Sequence, residues 1–116
     1  MPPRRNLFDT PADLLDYEFG QEKASALGRL GRALEAAIAA LAEFDGNNPR
    51  GTISAAGKHE RAELISQASV ALWHFIVQRE ACGLRDMRQV MRDYRVPEEV
   101  AARMGAWPDT VKRPRR

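Results

Sequence analysis

Arg85, Arg88, Arg92 and Arg95 are spaced by three, four and three residues, an interval that would set them along one side of a helix. Like charges so placed repel by roughly 0.2 to 0.5 kcal/mol per adjacent pair, so such a row gains from partners. Three kinds are open to it, in this order: solvation beside Asp86 and Asp93, pairing with the acidic stretch Asp13, Asp16, Glu18 and Glu22, and contact with phosphate on a partner. The first two are nearly level.

The other reactive side chains are sparser. His59 and Glu63 lie one helical turn apart, but two ligands without a third make a weak metal site, and a solvated pair is the better reading. His74 would act as a general base only with a carboxylate to orient it; set in the apolar run Val70 to Val77, it is expected to be a core residue with a satisfied ring nitrogen. Cys82, Met87, Met91 and Met104 offer sulfur, yet the methionines are expected on buried helix faces as adaptable filler. Gly51 to Lys58 fails as a phosphate-binding loop: five residues separate Gly51 from Gly57, His59 follows Lys58, and no strand pattern precedes it. A helix start fits that segment better. No nucleophile, base and orienting group can be named together, which disfavours an enzyme, and no residue set calls for a cofactor or metal.

These groups need elements to hold them. Thr10 is a good N-cap, Pro11 suits the first helical position, and Asp13, Asp16 and Glu18 sit near the positive end of the helix dipole. Leu27, Leu30, Leu34, Ala37, Leu41 and Phe44 continue one long helix as a seam stepping by three and four. Beside the seam runs a stripe of small residues, Gly20, Ala24, Gly28 and Gly31. The stripe marks either a bend or a groove for close approach by Trp73 or Phe75, and the groove is preferred because interior glycines are costly.

Asp45 to Thr52 is dense in turn formers, and a second helix is expected from Thr52 or Ser54 to about Glu80, with the stripe Leu64, Ile65, Ala68, Ala71, Leu72, Phe75 and Ile76. Val70, Trp73 and Val77 form a further face, so the middle of this helix is expected to be covered all round. Gly83 breaks the pattern. Leu84, Met87, Val90, Met91 and Tyr94 mark a short third helix, and Pro97 opens a fourth that Gly105 closes, with Trp107 capping the core. The last two helices have helix-turn-helix spacing, but Glu98 and Glu99 stand where such a motif meets phosphates.

Composition bounds the class. With 116 residues, 44% of them hydrophobic and 29% charged, the chain suits one globular domain. The formal charge is +2, but Arg4, Arg5, Lys112, Arg113, Arg115 and Arg116 lie in Pro-containing ends; without them 12 basic residues face 16 acidic ones, a formal −4. An acidic body makes nucleic acid a poor partner. One cysteine, no apolar leader and no apolar run near the roughly 18 residues of a span point to a reducing cytoplasm without membrane insertion.

The segments Gly20-Gln-Glu-Lys-Ala24, Leu27-Gly-Arg-Leu-Gly-Arg32 and Gln78-Arg-Glu-Ala-Cys-Gly-Leu-Arg-Asp86 resemble short, uncharacterised bacterial proteins, a family of unknown function. The resemblance covers Leu15 to Gly105; it implies an all-helical fold in a bacterial cytoplasm and carries over no catalytic or binding residue.

The expected architecture is all-α: a long antiparallel helical hairpin with two short C-terminal helices, forming a four-helix arrangement as a dimer. Residues 1–9 are expected as an arm, 10–107 as one helical domain and 108–116 as a basic tail. The expected role is a non-enzymatic structural or interaction protein that self-associates, with an unidentified protein partner also open to it. The alternative is a nucleic-acid-associated accessory protein using the arginine row and basic ends.

Overall fold

A computed structural model of the chain describes residues 11–110, and the side chains of these except 13, 15, 16 and 106–110. The expected arm, the Thr10 cap, residues 111–116 of the tail, and the side chains of Asp13, Asp16 and Trp107 lie outside the described residues. Four helices follow in order: α1 Pro11–Asn47, α2 Ala55–Ala81, α3 Met87–Asp93 and α4 Glu98–Thr110. Among the described residues there is no strand.

α1 and α2 form the expected antiparallel hairpin. Its closed end is fixed by turn chemistry: Asn48 donates to the Phe44 carbonyl at 2.9 Å, Gly51 adopts φ +92°, and the Ser54 hydroxyl caps α2 by accepting from the Gly57 amide at 3.0 Å. The leucine seam buries Leu34 and Leu41 against Ala68, Leu72, Phe75 and Ile76, with Leu27, Leu30, Ala37, Leu64, Ile65 and Ala71 packed around them, and Phe44 is buried toward the turn. Burying each large side chain contributes about 1.5 to 3 kcal/mol, so the seam is the main source of hairpin stability.

α2 ends where Gly83, at φ +86°, enters the left-handed region, and the amides of Gly83 and Leu84 bond back to the carbonyls of Glu80 and Arg79 at 2.9 and 2.8 Å. α3 closes the same way, with an arginine in place of the glycine. Arg95 has φ +51°, its amide reaches the Arg92 carbonyl at 3.2 Å, and the Val96 amide reaches Met91 at 3.0 Å. Val96 and Met91 both pack on the core, the apolar contact that accompanies such a cap.

These reversals return α3 and α4 along α2. Val90, Val100 and Met104 enter the core, and the buried Ser69 hydroxyl lies 2.8 Å from the Ile65 carbonyl and 3.2 Å from that of Val100, bringing the α4 backbone against α2. The lid is narrower than the all-round cover expected for α2. Seven and thirteen residues suffice for the Ser69 and Phe75 side only; Val77 is 44% exposed, and His74 is exposed rather than a core histidine. Gly105 does not close α4, which continues to Thr110: Gly105 stays out of the positive-φ region that stops a helix.

The hairpin arms differ in length. α1 has 37 residues and α2 has 27, and with Asp45 opposite Arg61 and Gly31 opposite Phe75, α2 ends near Ser25. Every described side chain from Pro11 to Ser25 is exposed, so α1 projects past its partner by roughly 20 Å at 1.5 Å per residue. The elongation shows in a radius of gyration of 19.4 Å and a long axis of 69 Å, against about 13 Å for the radius of a compact chain of this length.

Candidate functional site

Of the four small residues, three come together. Ala24, Gly28 and Gly31 line one wall of an open cleft of about 380 Å³ whose other walls carry Phe75 and Arg79 of α2 and Tyr94 at the end of α3. α1 passes Gly20, Gly28 and Gly31 as continuous helix. A Cβ on Gly31 would stand 3.0 Å from the Tyr94 hydroxyl and 3.2 Å from Phe75 Cε1, whereas one on Gly28 would meet only the guanidinium of Arg32 at 3.4 Å, and one on Gly20 would meet nothing. Among the three glycines of the stripe, Gly31 alone stands in close approach to another element. The expected Phe75 fills the groove; Tyr94 does so unforeseen, its ring edge-on to Phe75 with centroids 5.1 Å apart, and Arg79 lies 5.8 Å from the Phe75 centroid. Burial, reinforced by nearby Glu35, raises the Tyr94 pKa, so its hydroxyl remains a donor at neutral pH.

The arginine row does not form one helical stripe. α3 begins at Met87, so Arg85 lies in the preceding loop, where Asp86 caps the helix by accepting from the Gln89 amide at 3.3 Å. Arg95 lies beyond α3 with its left-handed backbone, leaving Arg88 and Arg92 on the helix. All four are exposed, and among the described residues none has an ion pair. His59 and Glu63 are exposed; Met104 is buried and Met91 half-buried, but Met87 is 42% exposed and so is not the buried filler expected.

The charged cluster that the structure does assemble is elsewhere. Arg61, 16% exposed, grips Asp45 with two bonds, Nε to Oδ1 at 2.7 Å and Nη2 to Oδ2 at 3.0 Å, and Nη2 also reaches Glu99 Oε1 at 2.8 Å. Arg50 adds a bond to Glu99 Oε2 at 3.2 Å. Hydrogen bonds from Arg61 hold the carboxyls of Asp45 and Glu99 below their usual pKa range, and those two carboxylates raise the guanidinium in turn. Thus one guanidinium joins the end of α1, the start of α2 and the start of α4. Asp45 and Arg61 stand equally far either side of Ile53, a symmetry about the turn that was available in the sequence; Glu99 required knowledge of how α4 folds back.

Neither place assembles a nucleophile with a base, and among the described residues no three His, Cys, Asp or Glu side chains gather as for a metal ion. Among the described residues no helix is long and apolar enough to cross a membrane. A family model described as a family of unknown function matches residues 7–112. No curated protein and no solved structure matches the chain.

Proposed function

The chain belongs to that family, the Family of unknown function (DUF6665), and from this premise we propose that it is a small non-enzymatic interaction protein of the cytoplasm that pairs with a second copy of itself. The observation that carries the reading is the projecting start of α1. A helical stretch of this length whose described side chains are all exposed is marginal in water, and the projection exposes Leu14 at 43% and Phe19 at 60%. At the same end of the hairpin, Leu84 and Met87 are 44% and 42% exposed beside Arg85 and Arg88. The projection itself carries exposed Glu18 and Glu22. An acidic apolar surface and a basic apolar surface on one end are self-complementary: a two-fold axis sets each projection against the 84–88 segment of the other copy. The exposed arginines also fit phosphate, but their row is broken and Glu98 and Glu99 open α4, so nucleic acid is the weaker partner.

Light scattering on the eluted protein tests the pairing. Twice the 13.0 kDa chain mass is expected at micromolar concentration, with Phe19→Glu or Arg88→Glu favouring the monomer and Glu18→Arg combined with Arg88→Glu recovering part of the loss. A strict monomer up to 100 µM, on the order of the weakest dimers of interest, overturns the proposal.

A further inference from the structure

The 48–53 turn and the first turns of α2 line an open cavity of about 360 Å³, distinct from the Phe75 cleft and at the opposite end from the projecting helix. Ile53, Ala62 and Ile65 give it an apolar lining, and the cations Arg50, Lys58 and Arg61 stand around it with no carboxylate among the lining residues. Ile53 is held in place over Gly57, where a Cβ would stand 2.6 Å from Ile53 Cγ1.

The charges are graded. Arg61 spends Nε and Nη2 on Asp45 and Glu99, while its Nη1 carries no hydrogen bond among the described residues and is not buried. Arg50 is 72% exposed and held by a single 3.2 Å contact, so it can turn from Glu99 toward another anion. Lys58 is exposed and, among the described residues, has no ion pair. Three cations against the two carboxylates Asp45 and Glu99 leave one positive charge in excess, which suits a monoanion better than a dianionic phosphate.

From the apolar lining and this single excess charge we infer that the cavity binds a small amphipathic carboxylate, its apolar body on Ile53, Ala62 and Ile65 and its carboxylate between Lys58 and Arg50. The inference does not depend on self-association.

The probe is octanoate, followed through the methyl resonances of Ile53 and Ile65 in the full-length protein, with octan-1-ol as the uncharged counterpart. Saturable shifts with octanoate are expected, at least tenfold weaker binding of octan-1-ol, at least fivefold weakening of octanoate by Lys58→Glu, and its loss on filling the cavity by Ala62→Phe. Lys58 and Ala62 are both exposed, so each substitution leaves the core unchanged, and an unaltered helical circular dichroism spectrum verifies the fold. No saturable shift below the micelle concentration of octanoate, equal binding of octan-1-ol, or undiminished binding to a folded Lys58→Glu protein would each overturn the inference.

Discussion

Replacing Gly31 by alanine sets two effects of known sign against each other. Alanine in a helix interior gains roughly 0.5 to 1 kcal/mol over glycine. At Gly31 the new methyl stands 3.0 Å from the Tyr94 hydroxyl and 3.2 Å from Phe75 Cε1, and Phe75 is 3% exposed and part of the core. Overpacking of this kind costs about 1 to 3 kcal/mol, so Gly31→Ala is expected to destabilise by up to about 2 kcal/mol. Gly28→Ala supplies the control on the same helix: its methyl meets only the mobile end of Arg32 at 3.4 Å, so the helix gain survives. Comparing the two cancels that gain and isolates the close approach as a gap of about 1 to 3 kcal/mol. At roughly 4 °C per kcal/mol for a chain of this size, thermal melts resolve it, and urea midpoints at unchanged slope confirm it. Tyr94→Phe removes the nearer of the two atoms, so Gly31→Ala should cost less in that background. Equal stabilisation by Gly28→Ala and Gly31→Ala would refute the claim that α1 and α2 meet at Gly31.

Two further predictions concern charge and backbone. Asp45 and Glu99 have depressed folded-state pKa values, so the stability they contribute is present above their unfolded values near 4 and is lost as pH falls through the folded ones. Arg61→Gln should therefore lower the unfolding free energy from urea melts most at neutral pH, by on the order of 1 kcal/mol since both acids are partly exposed, and its gap from the wild type should narrow below about pH 4; a gap constant to pH 2.5 would contradict the pairing. Arg95→Gly removes the strain of a side chain at φ +51°, and thermal melts should show a gain of about 1 kcal/mol.

What the sequence made legible was what local periodicity encodes. Leu34, Leu41, Ala68, Leu72, Phe75 and Ile76 were all placed on facing stripes and all are buried, and Ser54 was one of two candidate starts for α2 and caps it. Within the small-residue stripe, spacing could not separate Gly31 from Gly20, because the need for glycine comes from Phe75 and Tyr94, which are distant in sequence. The arginine row failed for a related reason: periodicity runs across Arg85 and Arg95, but the Asp86 cap and the left-handed turn cut the helix between them. The apolar run around His74 implies burial on every side, whereas the returning α3 and α4 cover one side and leave His74 exposed.

If a second copy docks as proposed, the unequal hairpin arms tie helix formation to concentration. From Pro11 to Ser25 the chain forms helix with no described side chain buried, so in an isolated copy it depends largely on the turns of α1 nearer the core. Docking of a second copy would supply the missing packing, making the ordering of the first turns and the joining of two chains a single equilibrium. Mean helicity should then climb on concentrating the protein, and amide hydrogens along this arm should exchange more slowly as it does so.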